Sequence, residues 1–526
     1  MGLILSGNPC ASLSTVTVAL CVFTFVLMAI KLQKSFQQDS QLDHTKSPPL
    51  PGPTPWPLVG NLLQMGDQMH LSLTRLRRQY GDVFKLRLGS LTVVILSGHT
   101  TIRQALVRQG EAFAGRPELF TFSAVADGNS MTFSEKYGPA WVLHKKLCKN
   151  ALRSFAQAEP RGSGATCLLE EHVCAEAAEM VEMIHDQAVK AEKDHAMKGI
   201  DPVVPLVTSV ANVVCALCFG KRYDHNDGEF LTIVNINNEV LKIFAAGNLA
   251  DFFPVFRYFP SPSLREMVKY IRGMNGFMEQ RIEEHIKTFD KNCIRDITDA
   301  LIALCENREE NIETSLLSSS QIIHTVIDIF GAGFDTIIAG LQWSLLYLIK
   351  FPDTQDRIHQ EIDDHIGSAR LPRFSDKSKM PFTEAFINEV FRHASYVPFT
   401  IPHCTTRNTT LNGYFIPKDM CVFINQYQVN HDIDLWGDPD KFRPDRFLGP
   451  SGQLNKELIE KVLIFGMGRR RCLGDGFARL EMFVFLTTLL HGLRLENVPG
   501  QELDLSTDFG LTMKPRPYRI TVSSRF

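Results

Sequence analysis

The sequence has no excess of charge of one sign and no cysteine-dense segment. Its 55 lysines and arginines nearly balance 58 aspartates and glutamates, so the formal net charge is −3. A nearly neutral chain has no general attraction to nucleic acid. Its 12 cysteines are spread over 526 residues, whereas disulfide scaffolds are short and cysteine-dense. We therefore predict reduced thiols, a cytosol-facing catalytic domain and no nucleic-acid partner.

The sequence also lacks repeats, low-complexity blocks and linkers that would divide it after Pro57. Cys215 and Cys218 have the spacing of a redox or zinc motif, but no second ligand pair lies near them in the sequence. They lie in an apolar run at 203–219, so a buried helix face explains them better. Length alone would allow two or three domains. We predict one catalytic domain at 58–526.

The N-terminus departs from this soluble pattern. Residues 10–32 carry no charge before Lys31, and their apolar core is long enough to span a bilayer. A cleaved signal peptide is the alternative. However, no basic residue precedes the segment, whereas Lys31 and Lys34 follow it. The positive-inside rule then leaves the rest of the chain in the cytosol, so we predict a single-pass transmembrane helix at 1–32.

A polar and proline-rich linker is predicted at 33–57, between the anchor and the catalytic domain. Six prolines fall among residues 48–57, a density that forms neither helix nor central strand. Such a stretch is a stiff, extended spacer or a ligand for a proline-recognition domain. Its position just after the anchor favours the spacer.

Hydrophobic periodicity predicts a mostly α fold with minor β structure. Apolar residues alternate at 83–88 and 92–96, which predicts a hairpin of two strands. Helical spacing predicts helices at 173–190, 264–286, 321–349, 354–366, 382–394 and 477–490.

The most informative segment, 465–474, places Cys472 in a glycine-punctuated loop, behind three arginines and before a helical run. The thiolate is the metal-ligand form of cysteine, and nearby arginines and a helix N-terminus favour it. The glycines allow close approach to a flat, bulky group, and Phe465 and Leu473 would exclude water. We interpret the segment as a loop that holds a metal macrocycle by one sulfur. A buried structural cysteine is the alternative.

The pattern Phe-x-x-Gly-x-(Lys/Arg)-x-Cys-x-Gly resembles the haem-binding loop of the cytochrome P-450 family. The resemblance covers 48–526 and implies that family's fold, in which haem b lies between a long distal helix and a proximal cysteine loop. It implies that Cys472 is the axial ligand of the iron and that Phe465 and Gly474 contact the cofactor. A thiolate ligand favours O–O cleavage.

A second motif lies in the apolar stretch 325–349, where two glycines precede Asp335 and Thr336. Each glycine inside a helix costs about 1 kcal/mol relative to alanine, which a helix lying close over a flat cofactor would offset. An acid beside an alcohol makes a short proton relay. The resemblance implies that Asp335 and Thr336 serve oxygen activation and that Ala332 and Gly333 line the distal haem face. A core or membrane helix with a capped polar pair is the alternative.

Glu389 and Arg392 lie three residues apart, on one face of a predicted helix. Exposed pairs of this kind are common and weak. Apolar neighbours and a later arginine, Arg446, favour a buried role. The resemblance implies that the three residues form a structural ion-pair network behind the cysteine loop.

Haem propionates require cations or hydrogen-bond donors, and four residues are candidates. Arg470 lies two residues before the cysteine, and Trp141 and Lys145 are four residues apart on one helix face. The family usually has arginine where Lys145 stands, and lysine keeps the charge but loses the bidentate fork. His403 matches a further propionate-side position, although a lone histidine is more often a surface residue.

Segments at 401–407 and 425–431 resemble family one of the cytochromes P-450, the branch that oxidises planar aromatic compounds. The resemblance places three residues beside the substrate, namely Phe122, Asp328 and Ala332. It also implies a roof over the substrate at 231–256. Val240 stands there where an aromatic residue is usual, and losing an aromatic removes stacking contact from a flat pocket.

These features predict a haem-thiolate monooxygenase anchored in the endoplasmic reticulum membrane. NADPH would supply electrons through a flavoprotein reductase, docked near Lys145, Arg469 and Arg471, with cytochrome b5 as a further candidate partner. One oxygen atom would enter a small, apolar, planar aromatic or steroid-like substrate, including xenobiotics. The alternatives are a haem-thiolate isomerase or dehydratase, a non-catalytic haem-binding protein and a membrane-anchored structural protein.

Overall fold

The computed structural model describes residues 47–126, 129–156, 169–193, 199–246, 248–259, 261–306 and 317–526. The predicted anchor at 1–32 and residues 33–46 of the predicted linker lie outside the described residues. The described chain is mostly helical with minor β structure, as the periodicity predicts.

Helices form most of the regular structure, and every helix predicted from periodicity is present. The α-helices are α1 (Leu62–Met65), α2 (Met69–Tyr80), α3 (His99–Arg103), α4 (Phe120–Ala126), α5 (Pro139–Ala156), α6 (Leu169–Lys193), α7 (Val203–Phe219), α8 (Gly228–Ala246), α9 (Leu249–Phe252), α10 (Pro262–Lys287), α11 (Ile297–Glu306), α12 (Ser319–Lys350), α13 (Pro352–His365), α14 (Pro381–Ala394), α15 (Gln426–Asn430), α16 (Ile433–Trp436), α17 (Lys456–Ile459) and α18 (Asp475–Gly492). Short 3-10 turns occupy Pro254–Arg257, Phe374–Lys379, Pro444–Phe447 and Gly468–Arg470, and a π turn, Gln104–Arg108, extends α3.

Among the described residues, the β structure is one four-stranded sheet and three two-stranded ribbons. The strands are β1 (Val83–Leu88), β2 (Leu91–Leu96), β3 (His403–Cys404), β4 (Thr409–Leu411), β5 (Tyr414–Ile416), β6 (Cys421–Ile424), β7 (Leu493–Asn497), β8 (Thr507–Asp508), β9 (Lys514–Pro515) and β10 (Ile520–Ser524). The sheet has the order β1-β2-β6-β3, and the predicted β1–β2 hairpin is its antiparallel edge. Strand β6 is parallel to β2 and antiparallel to β3, so residues far apart in the sequence meet in one sheet.

The longest helix, α12, runs through the core. Ser318 begins it with a capping box to Gln321, an arrangement that satisfies backbone groups at the helix start. Its 32 residues give it a length of about 48 Å. Every residue from Ile337 to Ile349 is buried, and the helix packs against α7, α14 and α18.

Among the described residues, α12 is the helix that is long and apolar enough to cross a membrane. More than half of its most apolar stretch is buried inside the protein. Its apolar character is therefore accounted for by packing in the core, one of the two alternatives that its composition allows.

Two further sequence predictions concern apolar segments. Cys215 and Cys218 are buried on α7, and burial raises the pKa of both thiols, so the predicted buried helix face is confirmed. The proline-rich stretch packs against β1, where the Pro51 carbonyl accepts a 2.8 Å hydrogen bond from the Lys85 backbone. This end of the predicted linker is thus attached to the catalytic body.

Candidate active site

The cysteine loop, residues 465–474, directly precedes α18 and approaches the Gln104–Arg108 turn. The backbone N–H of Cys472 donates to the Phe465 carbonyl at 2.9 Å, which closes the loop. Gly466 and Gly468 have φ of +67° and +69°, a region that glycine adopts without steric cost. A Cβ at Gly468 would lie 1.7 Å from the backbone oxygen of Leu106. Only glycine allows this approach of the loop to the Gln104–Arg108 turn.

Replacing Gly468 with alanine should therefore destabilise the cysteine loop by at least about 2 kcal/mol. The new methyl group meets backbone atoms and the backbone must also leave its favoured region. Chemical denaturation of the purified protein and haem content per chain would measure the loss. The matched control is Gly476→Ala. Gly476 is the second residue of α18, and a Cβ there would meet no atom within 4 Å. The control should change stability by less than about 1 kcal/mol, and equal effects of both changes would contradict the prediction.

The sulfur of Cys472 combines two properties. Burial raises the pKa of its thiol, while a hydrogen bond from the backbone N–H of Gly474 and the charges of Lys145 and Arg471 oppose this shift. We expected the arginines and the helix N-terminus to favour the thiolate; Arg471 does so, but burial outweighs it. The side chain nevertheless keeps accessible surface, so it faces space within its protein surroundings. A metal ion bound there would deprotonate the thiol.

Lys145 and Arg470 brace this loop through backbone carbonyls. Lys145 Nζ donates to the carbonyls of Arg469 and Arg471 at 2.6 and 2.8 Å. The Arg470 guanidinium donates to Ala114, Met131 and Ser134 carbonyls and lies 4.0 Å from the centre of the Trp141 ring. Burial lowers the pKa of Lys145 to about 8 and that of Arg470 to about 9.

Trp141 and His403 lie in the same region as these cations. The Trp141 indole N–H donates to the Met131 carbonyl at 2.9 Å, the oxygen that Arg470 also uses. His403 is buried, with Nδ1 2.7 Å from the Phe113 carbonyl, so it is not the surface histidine of the alternative interpretation. Burial lowers its pKa to about 3, and it is therefore neutral at physiological pH.

Arg116 is a member of this basic cluster that the sequence analysis missed. It is buried, and its guanidinium donates to the carbonyls of Thr132, Ile401 and Pro402. Burial and the neighbouring Arg470 lower its pKa, whereas Asp328 raises it. The Gly115–Cys404 backbone bridge brings Arg116 next to β3. The sequence signal that could have indicated Arg116 is an arginine that directly follows a glycine at the end of a short apolar segment.

Asp335 and Thr336, predicted to make a short proton relay, bond to separate partners in this structure. The Thr336 hydroxyl donates to the Ala332 carbonyl at 2.8 Å, one turn back. The buried Asp335 instead accepts from the Thr512 hydroxyl and lies 2.5 Å from Lys514 Nζ. Ala332 is exposed on this helix and Gly333 is partly exposed, although α12 runs through the core. The face of α12 that carries Ala332 and Gly333 is therefore not covered by other parts of the described chain.

The predicted substrate residues lie nearer the start of α12. Asp328 accepts from the Ser130 hydroxyl at 2.8 Å and from the Thr132 backbone at 3.0 Å. Burial raises the pKa of Asp328 to about 6. The buried ring of Phe122 lies 5.0 Å from that of Phe133. Asp328 thus fixes the segment that follows Phe122 to α12.

Glu389, Arg392 and Arg446 meet behind the cysteine loop. The Arg392 guanidinium makes two hydrogen bonds to Glu389, at 2.7 and 2.8 Å, and Arg446 Nε donates to Glu389 at 3.1 Å. All three side chains are almost fully inaccessible to solvent. The ring of Phe391 on the same helix contacts that of Phe465 edge-on at 5.5 Å. Phe465 thus connects the helix of the ion network to the cysteine loop.

Comparison with known proteins agrees with this geometry. The family model described as Cytochrome P450 matches residues 50–522. The chain belongs to the cytochrome P450 family. It is 47% identical to dog cytochrome P450 1A1 over 505 residues, covering 96% of this chain and 94% of the relative. It is 50% identical to rat cytochrome P450 1A1 over 471 residues, 89% of this chain and 88% of the relative. For human cytochrome P450 1A1 the identity is 48% over 466 residues, 88% and 90% of the two chains.

As a cytochrome P450 the chain is a monooxygenase with a haem cofactor, and its residues fit that group. Cys472 offers a sulfur that is surrounded by protein and still accessible. Arg116 is buried and Arg470 is half-buried, the hydrogen bonds of both go to neutral carbonyls, and Asp328 is the acid that acts on both. Because two guanidinium groups face one carboxylate, the cluster retains positive charge even when Asp328 is ionised. Such a cluster suits the two propionate carboxylates of haem.

Proposed function

We propose that this cytochrome P450 oxidises small, apolar, planar aromatic or steroid-like molecules, including foreign compounds. The observation that carries the proposal is the accessible Cys472, just before α18, beside a partly buried basic cluster. The relatives at 47–50% identity are all named cytochrome P450 1A1, which supports the aromatic-oxidising branch. The tilted Phe122–Phe133 ring pair offers an apolar aromatic contact for such a substrate.

When bound, haem supplies the activation of dioxygen and the oxidation of the substrate. The chain's residues then have distinct tasks. Cys472 would ligate the iron, with Phe465 and Gly474 near the sulfur. The residues that would hold the propionates are Trp141, Lys145, His403, Arg470 and Arg116. Ala332 and Gly333 would line the distal face.

Asp335 and Thr336 would control protons on the distal side, through a route that differs from a direct pair. Lys514 is partly exposed and Asp335 is buried, and they are in contact. The Asp335–Lys514 pair therefore joins solvent to the interior, and rotation of the Asp335 carboxylate could pass a proton inward. The Thr336 hydroxyl, now bonded to Ala332, would turn to donate to the reacting oxygen.

Electrons would come from NADPH through a flavoprotein reductase, with cytochrome b5 as a further partner. Arg469 and Arg471 beside the cysteine loop are exposed, although each has a local acidic neighbour, Glu111 and Asp475. Lys145 is engaged by carbonyls of the loop, so the two arginines are the better contacts. An anchor at 1–32 would hold the enzyme on the endoplasmic reticulum membrane, facing the cytosol.

Reconstitution with reductase in vesicles tests the proposal. The holoprotein should convert a panel of planar aromatic compounds to oxygenated products only when NADPH and oxygen are present. Thr336→Ala should raise the ratio of NADPH consumed to product formed several-fold, because the hydroxyl no longer delivers the proton. The conservative variant Thr336→Ser should keep most of the coupling. Unchanged coupling in Thr336→Ala would contradict the role of Thr336, and turnover of a peroxide without NADPH would favour an isomerase or dehydratase.

A further inference from the structure

A histidine and two glutamates meet at a place remote in sequence from the haem-site residues. Glu176 and Glu179 lie one turn apart on α6, and His225 comes from the segment between α7 and α8. His225 Nε2 lies 3.3 Å from Glu176 Oε2 and 3.3 Å from Glu179 Oε1. The three potential ligand atoms all lie within 4.8 Å of one another.

These separations are those of ligands around a metal ion. A hydrogen bond between nitrogen and oxygen is usually about 2.9 Å long, and a charge-assisted one is shorter. Zinc binds nitrogen and oxygen at about 2.0–2.2 Å in a tetrahedron. The edges of such a tetrahedron measure about 3.3 Å, from the bond lengths and the tetrahedral angle.

The atoms that face the centre of this cluster are buried and have no other partner. The His225 side chain is 9% exposed and that of Glu176 is 2% exposed. Within the described part of the chain, neither His225 Nε2 nor Glu176 Oε2 makes a hydrogen bond. Buried polar atoms without partners are costly and rare. Together with the spacing of the three side chains, these two atoms favour a bound cation between them.

A second cluster, of one histidine and two aspartates, also contains buried atoms without a hydrogen bond in the described chain, His285 Nε2 and Asp296 Oδ2, but its spacing is different. His285 Nε2 lies 2.7 Å from Asp296 and 3.0 Å from Asp299, the separations of an ion pair. Burial alone would lower the pKa of His285, but the two carboxylates raise it to about 9. A proton therefore accounts for the His285 cluster. The contacts of His225 are wider, at 3.3 Å each, and match the edges of a zinc tetrahedron better than the contacts of His285 do.

We propose that Glu176, Glu179 and His225 bind one divalent transition-metal ion of the zinc class. One nitrogen and two oxygens from three residues would leave a fourth position for water. Arg222 binds the remaining oxygen of each glutamate and thereby orients both carboxylates. With neutral His225, the two glutamates and Arg222 carry a net charge of −1, which favours a cation. The ion would hold the segment before α8 against α6.

The proposal is tested by equilibrium dialysis against Zn²⁺. The haem-containing protein is first treated with a chelator to remove other divalent ions, and bound zinc is determined by mass spectrometry. The wild type should bind one zinc ion per chain more than His225→Ala, and Glu179→Gln should weaken that site at least about tenfold. Zinc should raise the unfolding temperature of the wild type and leave that of His225→Ala unchanged. Mg²⁺ should not compete, because it prefers oxygen-only octahedral sites.

Two controls make the result decisive. His185→Ala changes an exposed histidine on the same helix and should bind zinc as the wild type does. Glu179→Gln alters a partly exposed side chain, so it tests the site even if His225→Ala fails to fold. Equal zinc stoichiometry and affinity in the wild type and Glu179→Gln would overturn the proposal and leave a protonated histidine as the explanation. An equal loss in His185→Ala would overturn it as well.

Discussion

Replacing Cys472 with alanine should abolish the red-shifted Soret band of the reduced carbonyl complex. Monooxygenase turnover should fall by about three orders of magnitude or more, the scale seen when a group acting directly on the reacting centre is removed. The reason is chemical, because only a thiolate donates enough electron density to favour O–O cleavage. The reduced carbonyl spectrum and product formation with reductase would measure both effects.

The structure supplies a matched control for this prediction. Cys293 is also a free cysteine, partly exposed and far in sequence from the loop, and Cys293→Ala should leave the spectrum and turnover unchanged. The basic cluster is untouched by Cys472→Ala, so haem binding should weaken without being lost. A variant that retained the red-shifted band would show that another group ligates the iron.

The sequence predicted features that are encoded locally. The helices follow from 3.6-residue periodicity, the β1–β2 hairpin from alternation, and the cysteine loop from glycines that the backbone requires. The buried role of Glu389 and Arg392 could also be predicted from the sequence, because the two residues lie on one helix face with apolar neighbours. The resemblance to the P-450 family then added the fold, which no local pattern gives.

The contacts that escaped prediction join distant parts of the chain. Thr512 is 177 positions from Asp335, the acid to which it donates, and neither Thr512 nor Lys514 stands in a motif. Arg116 reaches the basic cluster only because Gly115 pairs with Cys404. The net pKa shift of Cys472 was not predictable for the same reason, because charge can be read from neighbours in the sequence but burial depends on the whole fold.

Glu389→Gln should lower the free energy of unfolding by about 3–5 kcal/mol. Glu389 is the one acid shared by Arg392 and Arg446 in this network, and it also accepts from the Arg443 backbone at 2.7 Å. Glutamine keeps the shape but removes the negative charge, so the fully buried Arg392 guanidinium loses its acid partner, whereas Arg446 keeps Asp438 at 3.0 Å. Domains are stable by only about 5–15 kcal/mol, so such a loss should also reduce the yield of haem-loaded protein.

Denaturant titration followed by helical circular dichroism would measure this loss, with Asp445→Asn as the control. Asp445 pairs with Arg357 through two hydrogen bonds of 2.8 Å, but both side chains are about half exposed. Solvent screens such a pair, so the control should cost about 0–1 kcal/mol. The two changes remove the same kind of charge from equally short contacts and differ in burial. If both cost the same, burial would not be the source of the network's contribution, and Glu389 would have to act through the cysteine loop itself.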